Sequence, residues 1–316
     1  MDKAETVKQP VPPGPNPFVW ESQVRGILSR RDRRDPALRF WIMVAYAVLV
    51  AGALVTLAPL VWMVLGSFRT SEEMYRIPQS FLPGSADASN YREALRLMPF
   101  ARYLLNSFLM CAGVVTGQVL ICAMAAYALS KLRLKFAPFV LFLFLTSLMI
   151  PVEVLIIPLY LVMKFFPFGP ALPNINLLDT YPGLVLPSLF SAFSIMLMKE
   201  YFDSIPDEIV YAARIDAAGE WRIFSQFVLP MSKPVLAILS VFAFVNTWNS
   251  FFWPLIVLND PGTYPLVLGI QKLIATGEPW NVVIAALTLG SIPSLLILAF
   301  FQRTLVRGIA YTGIYG

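Results

Sequence analysis

FWIMVAYAVLVAGALVTLAPLVWMVLG fills residues 40–66 without one Asp, Glu, Lys or Arg. A helix rises about 1.5 Å per residue, so roughly 20 apolar residues cross the ~30 Å hydrocarbon layer of a bilayer. Trp41 and Trp62, 21 residues apart, suit the aromatic belts at the two membrane surfaces. The stretch reads as a membrane-spanning helix, and it sets the class of the whole chain.

Similar apolar runs recur at about Leu104 to Leu129, Phe136 to Phe165, Tyr181 to Leu197, Pro234 to Val257 and Val282 to Phe301. Pro151 and Pro158 interrupt the second of these, which a membrane helix tolerates where neighbours satisfy the freed carbonyls. Of 316 residues, 58% are apolar and only 14% charged, about half the charged share of a soluble domain. The expected fold is an all-α integral membrane protein with about six transmembrane helices, residues 40–301 forming the transmembrane domain.

Residues 1–39 combine Pro10, Pro12, Pro13, Pro15 and Pro17 with the basic cluster Arg30, Arg31, Arg33, Arg34 and Arg39. Such a composition builds no core. It reads as a disordered cytoplasmic tail, with a short surface helix around Trp20 to Leu28. No cleavable leader is expected, since the first apolar run is a full span without a small-residue cleavage pattern close behind it. Segments 67–103 and 202–233 are long but too polar to cross.

Orientation follows from counting Lys and Arg on each side. With the N-terminus inside, the tail holds eight, the 130–135 loop three, the 198–233 segment four and the C-terminal end two, which totals 17 of 24. Both termini are therefore expected in the cytoplasm and the 67–103 segment outside.

Several chemistries find no residues here. The chain has no histidine, the usual proton shuttle and the commonest metal ligand. It has no nucleophile elbow, no H-E-x-x-H pair and no C-x-x-C pair, so no catalytic or metal site is expected. A G-x-x-x-x-G-K-[ST] loop is missing as well, and any ATP-driven role must use the ATPase, ATP and magnesium of another subunit. The net charge of +5 belongs to basic residues placed between apolar spans, which argues against a nucleic-acid partner. Cys111 and Cys122 lie about 16 Å apart along one helix, too far for a disulfide. Glu153 is the one clear acidic residue in a span, about 25 Å along from Phe136 and so near the outer surface. A lone carboxylate there gives thin support for proton coupling.

The segment with most functional content is DSIPDEIVYAARIDAAGEWRIFSQFVLP, residues 203–230. Ser204 and Asp207 make a candidate capping box with Pro206 in the first turn. Ile205, Ile209, Ala212 and Ala213 recur at helical spacing and give a small apolar face, with Asp207, Glu208 and Arg214 elsewhere. Gly219 is expected to end this helix and turn the chain. A second amphipathic stretch, Trp221 to Phe227, leads through Leu229-Pro230 into the fifth span. The result is a cytoplasmic helix-turn-helix, whose small face fits a protein groove better than lipid headgroups.

At this point the sequence resembles the carbohydrate-import permeases of ABC transporters, of the type of the smaller membrane subunit of the maltose transporter. Their cytoplasmic loop reads E-A-A-x-x-D-G followed by an I-x-L-P-like ending. Here Tyr211-Ala212-Ala213-Arg214-Ile215-Asp216-Ala217 and then Phe227-Val228-Leu229-Pro230 stand in its place. Further matches come in the same order along the chain: Ser67-Phe-Arg-Thr-Ser-Glu-Glu, Asn90-Tyr91, Asn106-Ser107, Ala125-Ala-Tyr127, Pro158-Leu-Tyr160, Trp248-Asn249, Pro254-Leu255 and Gln302-Arg-Thr-Leu-Val-Arg-Gly308. Two positions depart, with Tyr211 where the family has glutamate and Ala217 where it has glycine. A tyrosine still offers a hydrogen bond and a large contact area.

The resemblance implies a binding-protein-dependent importer in the inner membrane of a prokaryote, moving a sugar or oligosaccharide by alternating access. It also implies the partners: a second, homologous permease forming a heterodimer, two ATPase subunits, and an extracytoplasmic solute-binding protein facing 67–103. Ile205, Glu208, Ile209, Tyr211, Ala212, Ala213, Arg214, Asp216, Ala217 and Gly219 would form the ATPase-coupling loop, and the tail 302–316 would reach the ATPase interface.

Polar residues in spans are candidates to line the translocation path: Gln118, Asn246, Trp248, Asn249, Thr288 and Ser291. The other use of such residues is an interhelical hydrogen bond within the bundle. From a different class, a stand-alone secondary transporter or channel is the alternative.

Overall fold

The computed structural model describes residues 36–84, 86–166 and 175–312. Among these there are helices and connections but no strand, and a bridge pairs Phe166 with Ile175. The expectations for 1–35, the short helix at Trp20 to Leu28 included, and for 313–316 lie outside the described residues. The rest of the C-terminal segment continues the last helix to Thr312.

In chain order the helices are α1 (Pro36–Gly66), α2 (Ser71–Tyr75), α3 (Ser89–Leu97), α4 (Phe100–Lys131), α5 (Ala137–Ser147), α6 (Val152–Lys164) and α7 (Tyr181–Val185). They continue with α8 (Ala192–Asp203), α9 (Asp207–Ile215), α10 (Glu220–Ile223), α11 (Leu229–Met231), α12 (Lys233–Trp248), α13 (Phe252–Val257), α14 (Leu266–Ala275) and α15 (Trp280–Thr312). Among the described residues, those up to Val61 form one unit and those from Trp62 a second. The first is apolar on every side of α1 from Phe40 onward, the mark of a helix whose solvent is lipid.

α1, α4 and α15 are long and apolar enough to cross a membrane. Three bent pairs bring the number to six if each crosses once: α5 with α6 at 107°, 181–188 with α8 at 49°, and 220–231 with α12 at 81°. Several expected spans are thus broken. The run from Phe136 to Phe165 divides at Leu148–Pro151, while Pro158 sits inside α6. Pro151 has no N–H to continue the ladder and restricts the residue before it. The run from Pro234 to Val257 ends at Trp248, and α13 is a separate helix.

Two apolar clusters fill the second unit. One gathers Tyr103, Met110, Phe244, Trp248, Leu268, Ala285 and their neighbours. The other gathers Ala126, Met198, Phe202, Val210, Ile223, Leu239 and theirs. α4 and α12 run through both. Midway along α4, Gly113 and Gly117 make the small-xxx-small spacing that lets helices approach closely. Val185 and Leu189 fill the space; a Cβ on Gly117 would collide with Cδ2 of Leu189.

Candidate functional site

The 203–220 segment folds as a helical hairpin, built from different residues than the sequence pattern singles out. Ser204 closes α8, its backbone N–H on the Glu200 carbonyl and its Oγ on the Tyr201 carbonyl at 2.6 Å. α9 starts at Asp207 after Pro206, with no side-chain cap, so the expected capping box at Ser204 is not formed. The Asp207 carboxylate turns to α4, where Lys131 needs an acceptor.

The far end of α9 is a Schellman turn. Ala217 takes φ +56°, its N–H donates to the Arg214 carbonyl at 3.0 Å, and the Ala218 N–H donates to the Ala213 carbonyl at 3.0 Å. Glycine usually fills that left-handed position. Gly219 instead has φ −68° and opens α10, so the turn expected at Gly219 is made two residues earlier by an alanine.

α9 shows which of its faces is free. Ile205 and Ala213 are 5% exposed and Val210 2%, all packed in the second apolar cluster with Ile209 against it. Glu208, Tyr211, Ala212, Ile215 and Asp216 point outward. Ala213 is therefore turned to the chain's own core while Ala212 is exposed, which corrects the expectation of a shared docking face. Neighbouring residues on a helix are about 100° apart, and the chain's own core claims Ala213. The outward side is capped by two large apolar groups, Ile215 at 84% and Trp221 at 69% exposed.

Charged residues tie the hairpin to α4. Lys131 Nζ donates to Asp207 Oδ1 at 2.7 Å and to the Ile205 carbonyl at 2.7 Å, and Arg133 approaches Asp207 Oδ2 at 3.5 Å. The hydrogen bond from Lys131 holds the Asp207 carboxyl below its ordinary value, with Arg133 adding to it. Arg214 Nε donates to Glu220 Oε1 at 2.9 Å, and the Tyr127 hydroxyl donates to Glu220 Oε2 at 2.5 Å. Tyr211, in the place of the family glutamate, has the guanidinium carbons of Arg133 and Arg214 at 5.4 and 6.0 Å from its ring centre, within cation–π range. Pattern reading marked Tyr127 only as a motif fragment and passed over Lys131 and Glu220. The available signal was Tyr127 and Lys131 at i, i+4 spacing in the last turns of an apolar helix.

At the opposite end of α4, Asn106 Nδ2 donates to the carbonyls of Gly262 and Tyr264, both at 3.0 Å, and Asn106 Oδ1 accepts from the Tyr181 hydroxyl at 2.7 Å. The Leu266 N–H donates to Ser107 Oγ at 2.8 Å. These bonds seat α14, a short apolar helix that hydropathy alone did not reveal, against α4.

The six path candidates are distributed over α4, the end of α12 and α15. Gln118 Nε2 donates to Ser194 Oγ on α8 at 3.0 Å. Trp248 is 4% exposed, against Phe244 and Phe108, with its N–H on the Gly290 carbonyl at 3.3 Å. Thr288 and Ser291 donate to carbonyls of their own helix, Ile284 and Thr288, at 2.8 Å each. Asn246 and Asn249 stand exposed within one turn of each other at the end of α12. Buried Trp248 lies between the two, and Asn249 Nδ2 donates to the Val245 carbonyl at 2.8 Å.

Apolar helices of spanning length are thus joined to a hairpin with an apolar outer tip. The family described as "Binding-protein-dependent transport system inner membrane component" matches residues 118–311, and the chain belongs to that family. It is 33% identical over 280 residues to the sn-glycerol-3-phosphate transport system permease protein UgpE of Brucella melitensis biotype 1, across 85% of this chain and 96% of that one. It is 34% identical over 281 residues to the UgpE protein of Escherichia coli O1:K1 / APEC, across 86% and 97%. Its fold also matches a chain of a bacterial ABC transporter involved in the import of the acidic polysaccharide alginate, with TM-score 0.72 and 24% identity over 88% of this chain and 99% of that chain. The protein is a permease subunit of an ABC importer and an inner membrane component. Membership implies work beside a solute-binding protein and an ATPase.

Proposed function

We propose that this permease moves a sugar, an oligosaccharide or a related hydroxyl-rich solute into the cytoplasm by alternating access, with the outward side of the 203–220 hairpin seated in a cleft of a separate ATPase subunit. The observation that carries the reading is the pair Ile215 and Trp221, large apolar side chains exposed at the tip of an anchored hairpin. Exposed apolar groups of this size, rimmed by charges, suit a protein partner. The names of the relatives extend the substrate class to polyol phosphates.

The Lys and Arg bias favours cytoplasmic termini, which puts the hairpin inside and α2, α3 and the 259–266 loop outside, toward the binding protein. A second, homologous permease completes the path as a heterodimer. Exposed Asn246 is the best placed of this chain's residues to offer a solute hydrogen bonds, with exposed Asn249 beside it although its amide already donates to the Val245 carbonyl; Gln118, Thr288, Ser291 and Trp248 support the bundle. The protein itself needs no cofactor, since ATP and magnesium belong to the ATPase.

A photo-reactive residue in place of Ile215, in the assembled transporter, should cross-link to the ATPase, and uptake should stop on ATP depletion at an unchanged ion gradient. Cross-links to lipid alone, or uptake that follows the ion gradient, would overturn the reading in favour of a stand-alone transporter.

A further inference from the structure

Tyr127 and Lys131 lie one turn apart at the end of α4, and each holds a different helix of the hairpin. Lys131 takes the start of α9 through the Ile205 carbonyl and Asp207, from a side chain only 3% exposed. Tyr127 takes the start of α10 through Glu220. Arg214 closes the figure. Its Nε reaches Glu220, and its Nη2 donates to the Lys131 carbonyl at 3.2 Å, one of the carbonyls a helix end leaves without an intrahelical partner. Apolar packing under α9 is non-directional and lets a helix slide or rock. Four charge-assisted hydrogen bonds between α4 and the two hairpin helices do not, because each loses strength steeply with distance and angle.

We infer that Tyr127 and Lys131 are positioning residues that lock the hairpin to α4, so that a push on the hairpin moves α4 and is not lost in rocking. α4 can carry such a push. It runs 32 residues without proline, about 48 Å, and at its other end Asn106 and Ser107 grip the 262–266 segment. The lock therefore connects the hairpin rigidly to the far mouth of the bundle.

This inference rests on the docking reading above, and the two fail differently. The test uses the complete transporter with its binding protein in proteoliposomes, reading solute taken up per ATP hydrolysed, a ratio independent of how much complex assembles. Tyr127→Phe removes one hydroxyl, and Lys131→Met removes the buried cation. Each should lower the ratio about tenfold, the scale of one hydrogen bond to a charged group. Cross-linking from position 215 should persist, and Lys131→Arg should recover most of the coupling. An unchanged ratio in Tyr127→Phe with the cross-link retained overturns the lock alone, and this variant decides the matter if Lys131→Met does not assemble. Absence of the cross-link in the otherwise unaltered chain overturns the docking reading beneath it.

Discussion

Asn281, the second residue of α15, donates its side-chain amide to Asn90 Oδ1 on α3 at 2.7 Å, joining positions 191 residues apart. Asn90 in turn donates to the carbonyls of Ser67 and Arg69 at 2.9 and 2.8 Å, and Asn281 accepts from Ser71 at 3.0 Å. Both amides are 4% exposed. One side chain thus satisfies the turn after α1 and the start of α15 together. Asn90→Ala would leave two carbonyls and an amide without partners, at about 1–3 kcal/mol for each buried group. Thermal unfolding in detergent should show a clear fall in midpoint; an unmoved midpoint would mean water replaces the amide at no cost.

Ala217 sits in the left-handed region at φ +56°, which costs a residue with a Cβ roughly 1–2 kcal/mol. Ala217→Gly should therefore stabilise the hairpin by about 1 kcal/mol, and Ala217→Val should weaken it. Hydrogen exchange of the Ala217 and Ala218 amides, which close the turn, reads the difference. Faster exchange in the glycine variant would contradict the assignment of strain.

The different burial of Ala212 and Ala213 predicts unlike outcomes for the same substitution. Ala213→Asp places a carboxylate in the chain's own apolar cluster, where an uncompensated charge costs several kcal/mol. Ala212→Asp faces water and should stay within about 0.5 kcal/mol of the parent. Unfolding of the isolated permease separates the two, with no ATPase present. Equal stability of both variants would place Ala213 on the outer side after all.

The sequence made the membrane class, the six apolar runs and the hairpin legible, because length and hydropathy are local properties. Direction was not legible. Nothing in the apolar stretch 136–165 says that the chain turns by 107° at Pro151 yet passes Pro158 within a helix, since that depends on which neighbour takes the freed carbonyl. α14 escaped because ten residues are too few for a span, although Leu266, Leu268, Ile270 and Leu273 are buried. On α9 the inward side was misjudged because small and large apolar residues occur on both sides. Ile215 looks like core by type and is exposed. Gln118, a path candidate as a polar residue within a span, is engaged by Ser194, a partner 76 residues away that no periodicity reveals.

α4 and α12 each belong to both apolar clusters, and this makes the second unit one thermodynamic body with two centres. Loosening either cluster strips the other of the helices it is built on, so heat or denaturant should melt them in a single cooperative step. The same sharing divides each helix into two half-lengths that answer to different neighbours. A repacking substitution near Met110 and one near Ala126 should add in free energy, with little coupling between them, despite lying on one continuous helix.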